Sequence, residues 1–239
     1  MKIVAMIPAR IGSTRLRMKN LALLDGKPLI YYAIDAAKRS GVFDRILLNS
    51  DHDVFGMVAE RYGIEFYKRP VQLGSSSTKS DDVVNDFILN NPSDIIVWVN
   101  PTSPLQTAGE IKKVIDYFIE ERLDTLITVQ DLQVHCLYKN KPVNFDIEKK
   151  FDQTQDLTPV QPYVYSIMMW KSETFREQYN KKGYALFCGN VGHYPVSKES
   201  ALIIKKKEDL ILAENLLKAK NKSKTNDINY DDLVNGLEI

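Results

Sequence analysis

The 239-residue chain has two cysteines, three histidines and no stretch near the roughly 20 apolar residues that a membrane span needs. Cys136 and Cys188 fit neither a metal-ligand spacing nor a disulfide framework, so a reducing, cytoplasmic setting is expected. His52, His135 and His193 are scattered without ligand spacing, which gives no ground for a transition-metal centre. A charge excess is missing too: 32 basic and 31 acidic residues leave a net +1, which excludes bulk attraction to nucleic acid or an anionic membrane. The apolar run within residues 1–10 is too short for a signal peptide, and a soluble chain is expected. Both generic nucleotide fingerprints, G-x-x-x-x-G-K-[ST] and G-x-G-x-x-G, are absent, and there is no internal repeat.

What is present is an ordinary globular composition, 44% hydrophobic and 26% charged, with enough chain for a real core. Since the overall charge is balanced, a local cluster of cations is informative. It lies at the start. The apolar run Ile3 to Ile7, bounded by Pro8, reads as a strand buried on both faces. It opens into a loop with Gly12, Ser13 and Thr14 among Arg10, Arg15, Arg17 and Lys19. Small residues let backbone N–H groups approach an anion and the cations neutralise it, so the loop from Ala9 to Asn20 reads as a phosphate cradle; the alternative is a solvated loop that happens to be basic.

Downstream, strand and helix patterns alternate. Helices are expected at 29–41, 53–62, 80–90, 110–121, 172–180 and 209–220, and strands at 45–49, 64–67, 95–99, 125–129, 163–170 and 190–195. Such alternation predicts an α/β fold with a doubly wound, mainly parallel sheet over residues 1–220. Ser80 reads as a helix N-cap, and Asp53 as another. Between 131 and 163 both periods fade, and Pro142, Pro159 and Pro162 punctuate a polar run; an insertion of this length reads as an arm that packs on another subunit. Residues 221–239 form a polar tail. Because ligands of open α/β sheets sit beyond the carboxyl ends of the strands, loops 8–20, 49–53, 68–80 and 100–107 fall on one rim.

With those loops in hand, the chain resembles the CMP-sugar synthetases, the cytidylyltransferases that activate acylneuraminate and KDO, as a divergent member. The resemblance rests on IPARIGSTRLRMKN at 7–20, RPVQLGSSSTKS at 69–80, NPTSPLQT at 100–107 and EDLILAENLL at 208–217. It implies a Rossmann-like nucleotidyltransferase fold, a homodimer, and attack by the anomeric hydroxyl of a 2-keto sugar acid on CTP with release of pyrophosphate. It also implies Mg²⁺. Carried over by position, Arg10 and Lys19 match triphosphate-binding cations, Arg15 matches an arginine of the KDO branch, and Asn20 matches the polar residue closing the loop. Arg69 and Ser80 match residues around the cytidine and phosphates. Asn100 stands where the acylneuraminate branch has a base-reading glutamine, shorter by one bond of ~1.5 Å. For the acceptor, Gln106, Gln161, Tyr163 and Tyr165 are the candidates.

The metal aspartates of the pattern are missing. No aspartate lies between Val99 and Gln106, and the positions equivalent to the D-x-D before the last helix are Ile203 and Lys205, within the run Lys205, Lys206, Lys207. Hard cations want oxygen ligands, which these residues do not offer. Either a lysine replaces part of the metal's charge, or substrate and other loops hold the metal, or turnover is lost; a nucleotide-binding or regulatory homologue without turnover is therefore the alternative to an active enzyme. A glycosyltransferase would need a D-x-D metal pair, and Asp51-His52-Asp53 is the sole instance.

Overall fold

The computed structural model describes residues 1–222 apart from Thr14; the expectation for the tail lies, from residue 223 onward, outside the described residues. The strands are β1 (Ile3–Ala9), β2 (Leu23–Leu24), β3 (Lys27–Pro28), β4 (Arg45–Ser50), β5 (Glu65–Lys68), β6 (Ile95–Val99), β7 (Thr125–Val129), β8 (Leu137–Tyr138), β9 (Lys141–Pro142), β10 (Tyr163–Lys171) and β11 (Val191–Pro195). The helices are α1 (Leu29–Ser40), α2 (Val54–Arg61), α3 (Ser80–Asn90), α4 (Ala108–Glu120), α5 (Ser172–Lys182) and α6 (Lys207–Lys222). Seven strands form one sheet in the order β11-β7-β10-β6-β1-β4-β5. All pairings are parallel except those of β10, which runs antiparallel to both β6 and β7. The mainly parallel α/β architecture is thus the observed one.

β1 is central, flanked by β4 and β6, and one apolar cluster covers each of its faces. Ile7 and Ala5 face α1, α2 and α4 through Ile34, Phe55 and Phe118, while Val4 and Met6 face α3 and α5 through Phe87 and Phe175. Burial on both sides explains why β1, β6 and β7 read as unbroken apolar runs. α1 stops at Gly41, which adopts the left-handed conformation (φ 66°) that a β-carbon disfavours. α4 begins two residues earlier than the apolar spacing suggests, because the Thr107 hydroxyl accepts the Glu110 N–H at 3.1 Å and caps the first turn. Ser80 is the first residue of α3 rather than its cap; Lys79 flanks the helix and makes no side-chain cap bond. Asp53 does flank α2, but its carboxylate pairs with Lys68 instead of capping.

The inserted segment is more regular than its sequence suggests. β8 and β9 form a hairpin across Lys139 and Asn140, both at positive φ (48° and 62°), the backbone of a two-residue primed turn. A bridge between Leu132 and Val160 closes the base of the arm. Among the described residues no helix is long and apolar enough to cross a membrane.

A third, small cluster decides where α6 sits: Leu24, Leu29, Ile204 and Ala213 are all fully buried together. Ile204 leads into α6, so its anchoring places the residues that follow. Truncating Ile204 to Ala removes a buried side chain from this cluster, and we expect a loss of about 2–4 kcal/mol in a urea unfolding titration.

Candidate functional site

The carboxyl ends of β1 and β6 open onto a cavity of about 320 Å³. Its walls come from the loop after β1 (Ala9, Arg10, Ser13, Arg15, Lys19, Asn20), the 69–80 segment (Arg69, Ser75, Thr78, Ser80), the end of β6 and its loop (Trp98, Asn100, Thr102), and Lys205. The loops gathered by the rule for open sheets therefore do converge, with the exception of 49–53, which acts behind the wall.

That action runs through Arg69. Its buried guanidinium donates from Nη1 to the Asn49 carbonyl (3.0 Å) and Asn49 Oδ1 (3.3 Å), and from Nη2 to the Ala9 carbonyl (2.9 Å). The Asp51 carboxylate, also buried, lies 3.7 Å away. Arg69 thereby ties the end of β1 to the end of β4. Its Nε is buried without a partner among the described residues. Asp51 closes over Gly74, where a β-carbon would run into its carboxylate. The D-x-D is accordingly an ion-pairing element: Asp51 faces Arg69 and Asp53 pairs with Lys68.

Asn100 also braces the wall. Its Oδ1 accepts from the Thr102 N–H (3.0 Å) and hydroxyl (2.8 Å), and its Nδ2 donates to the Tyr165 carbonyl (3.0 Å). Both ends of the amide that the resemblance assigns to base reading are engaged, one within the loop and one on β10. Asn20 is different: buried in the wall, its Oδ1 has no partner among the described residues. Trp98 Nε1 is likewise buried and unpartnered, so Trp98 is a wall residue as well as a core one.

The cations are the distinctive feature. Arg10 donates from Nη1 to the Ser75 carbonyl at 3.1 Å, and Lys19 from Nζ to the Ile204 carbonyl at 3.0 Å. None of Arg10, Arg15, Lys19 and Lys205 forms an ion pair among the described residues. Among the described residues no carboxylate lines the cavity. Burial first, then the charges of Arg15 and Arg10, lower the Lys19 ammonium from 10.5 to about 8, only partly offset by Asp209. An anion in the cavity would relieve all of these unfavourable terms except the burial.

Acidic residues nearby are turned elsewhere. Asp81 accepts the Ala185 and Leu186 N–H groups (2.6 and 2.9 Å), Asp82 accepts the Tyr179 hydroxyl (2.7 Å), and Asp209 accepts the Lys205 and Lys206 N–H groups (2.7 and 2.9 Å). Among the described residues no three His, Cys, Asp or Glu side chains cluster in a way that could hold a metal. The residues present do not fit a protein-held Mg²⁺, whose ligands would be carboxylate and other oxygens.

The acceptor candidates stand apart from the cavity wall. Gln106 is buried and donates to Glu110; Gln161 donates to Asp131 at 2.8 Å. Tyr163 and Tyr165 stack at 5.6 Å, exposed, with the Tyr163 hydroxyl 2.9 Å from His193 Nε2. Tyr165 touches the site through its carbonyl, held by Asn100. Gly12 has open space around it, so crowding is not what requires a glycine there. Sequence reading passed over Ser75, Thr78, Trp98 and Thr102 as wall residues, and met Lys205 only as a stand-in at the position of a metal aspartate. The first two lie inside the quoted 69–80 motif, and Lys205 was reachable only by counting back from the last helix.

A mainly parallel sheet whose strand ends gather cations around a cavity that no described carboxylate lines defines an α/β protein with a site suited to an anion. The chain belongs to the cytidylyltransferase family, whose model matches residues 4–228. It is 28% identical over 221 residues to the N-acylneuraminate cytidylyltransferase of Streptococcus agalactiae serotype III (strain NEM316), covering 88% of this chain and 52% of that protein. It is 28% identical over 239 residues to the Escherichia coli O18:K1:H7 enzyme of the same name, covering 93% and 54%. The chain thus spans about half the length of these curated relatives. A relative of matching length is the post-translational flagellin modification protein B of Campylobacter coli, 25% identical over 238 residues, covering 92% and 97%. In structure the chain is similar to a CMP:2-keto-3-deoxy-manno-octonic acid synthetase complexed with CTP (TM-score 0.68, 13% identity, 92% of this chain and 100% of that one). It is also similar to the 4-diphosphocytidyl-2C-methyl-D-erythritol synthase of Anaerococcus prevotii (TM-score 0.65, 16% identity, 91% and 98%). At these identities the likeness concerns the fold.

The Lys19 ammonium sets a pH signature. A bound polyanion favours its charged form, so binding takes up a proton wherever the free side chain has lost one, and affinity falls as pH rises through about 8. Calorimetry of CTP in buffers of different ionisation enthalpy should show proton uptake at pH 8 that grows at pH 9, above the range in which the nucleotide's own phosphate titrates. Equal, near-zero uptake at both would remove Lys19 from the site.

Proposed function

We propose that the chain transfers the cytidylyl group of CTP to the anomeric hydroxyl of a 2-keto sugar acid. The observation that carries this reading is the set of unpaired cations, Arg10, Arg15 and Lys19, at the mouth of β1 in a cavity with no carboxylate. Family membership narrows the polyphosphate to that of CTP. The hydroxyl oxygen bonds to the α-phosphorus, and the bond from that phosphorus to the α–β bridging oxygen breaks. Pyrophosphate leaves with the bonding pair, and the hydroxyl proton passes to solvent. Little covalent work falls to the protein; charge neutralisation and in-line positioning are its tasks.

Arg10, Arg15 and Lys19 neutralise the charge that develops on the departing pyrophosphate. Lys19, with one donor on the Ile204 carbonyl, keeps two for phosphate oxygens. The orphaned Oδ1 of Asn20 offers an acceptor to the nucleoside, whose hydroxyls and amine are donors. Arg69 and Asn100 act on the shape of the site, by holding β1 to β4 and by folding the loop after β6. The acceptor docks on the side bounded by Asn100, where Tyr163 and Tyr165 present a stacked, exposed pair with hydroxyls suited to a polyhydroxy acid.

The 131–163 arm serves as a homodimer contact on this reading. Leu137, Tyr138, Val143, Ile147 and Phe151 are all exposed on it, more apolar surface than an arm facing water would present.

Pyrophosphate release from CTP across a panel of 2-keto sugar acids tests the activity. Arg10→Ala should weaken CTP binding at least tenfold, about 1.4 kcal/mol, while leaving the thermal midpoint within about 2 °C, since its one hydrogen bond is exposed. Unchanged affinity would show that the loop does not hold the nucleotide. Sedimentation at micromolar concentration should give a dimer; a monomer would reject the role of the arm.

A further inference from the structure

Among the described residues, two cations of the cavity do not come from the β1 loop: Arg69, which is tied into the wall, and Lys205. Lys205 reaches the cavity from the far end of the chain, just before α6. Its backbone is fixed from several sides. The preceding residue, Ile204, is fully buried; its N–H donates to the Thr102 carbonyl at 2.8 Å, and its carbonyl accepts from Lys19 Nζ at 3.0 Å. The Lys205 and Lys206 N–H groups both donate to Asp209 Oδ2, a carboxylate at the third position of α6 turned back on the helix start. Only the side chain is left to move. It is exposed at the cavity wall and lies close enough to act on the Lys19 charge.

Five cationic side chains therefore line a cavity that no described carboxylate lines, and Asp209, the acid at the start of α6, is occupied by backbone. A protein that held Mg²⁺ beside the nucleotide would need oxygen ligands here; this one places an ammonium there. A lysine is a compact point charge with three donors, well suited to phosphate oxygens.

We propose that Lys205 completes a divalent-independent polyphosphate clamp, its ammonium doing for the phosphates what a protein-held cation would otherwise do. The inference rests on the CTP reading of the same cavity. It makes Lys205 a ligand-binding residue and makes nucleotide binding by this chain insensitive to removal of divalent cations.

Isothermal titration of the full chain with CTP and, separately, with inorganic triphosphate tests it, each in EDTA and in excess Mg²⁺. The unaltered chain should bind CTP in EDTA within about threefold of its affinity in Mg²⁺. Lys205→Ala should lose about tenfold or more in EDTA, and Lys205→Arg should keep affinity within about threefold. Because the side chain is exposed and the bonds to Asp209 are from backbone, Lys205→Ala should melt with the parent. A merely structural role would shift that melt and leave affinity alone. Loss of CTP binding by the unaltered chain in EDTA overturns the proposal, as does indifference of Lys205→Ala; if pyrophosphate is still released from CTP, the cytidylyltransfer reading survives. The converse result, Lys205-dependent binding of inorganic triphosphate in EDTA with no preference for CTP and no turnover, keeps the clamp and removes that reading. Failure of both ligands to bind removes both.

Discussion

A buried guanidinium holds this site open. Arg69 joins the Ala9 carbonyl at the end of β1 to the Asn49 carbonyl near the end of β4, its parallel neighbour. Burying an arginine is costly unless its donors are matched, and here two carbonyls, an amide oxygen and the nearby Asp51 do most of that matching. The consequence is geometric. With β1 and β4 tied at their ends, the loop after β1 must leave the sheet at the position where Arg10 and Lys19 reach the cavity. Gly74 belongs to the same arrangement, since any side chain there would push Asp51 off the arginine.

On that scaffold the chain stores electrostatic repulsion. Arg10, Arg15, Lys19 and Lys205 share one wall without a compensating carboxylate, and the lowered Lys19 ammonium records the cost. A structural network of this density would normally be interleaved with acids, as it is elsewhere in this molecule, where Arg45 pairs with Glu65 and Lys171 with Asp124. The asymmetry between paired surface and unpaired cavity points to a ligand that brings the negative charge itself. Part of the folding stability is forgone so that the free energy appears on binding, as at other preorganised sites.

Much of the scaffold was legible from residue pattern. β1, β6 and β7 are buried on both faces and so read as continuous apolar runs, and Gly41 stops α1 for a reason visible in one residue. The β1 loop was legible because four cations in ten positions are rare in a chain with balanced charge. Pairing was less so. Period and composition say which segments are strands but not that β10 would insert antiparallel between β6 and β7, a choice made by tertiary contact. The hairpin of β8 and β9 hid because its strands are two residues long and its turn, Lys139-Asn140, has no glycine. Side-chain roles were the least legible. Arg69 and Asn100 have the residue types of ligand-readers, and nothing local to them discloses that their polar atoms meet backbone.

Lys205 makes the same point from the other side. In sequence it is one of three consecutive lysines before a helix, a pattern that usually means a solvated face. What separates it from Lys206 and Lys207 is its neighbour: Ile204 is pulled into the core, so its backbone pins the next residue to the wall, which the following two do not line. The physical difference between an ammonium there and a carboxylate pair holding Mg²⁺ is one of conditionality. Two carboxylates and a divalent cation sum to zero charge and contribute only when the metal is present; without it they repel the phosphates. An ammonium contributes +1 whatever the divalent concentration, and its limit is set by protonation instead. A chain built this way exchanges dependence on a metal for dependence on pH, and the Lys19 ammonium, already lowered to about 8, is the group that would define that limit.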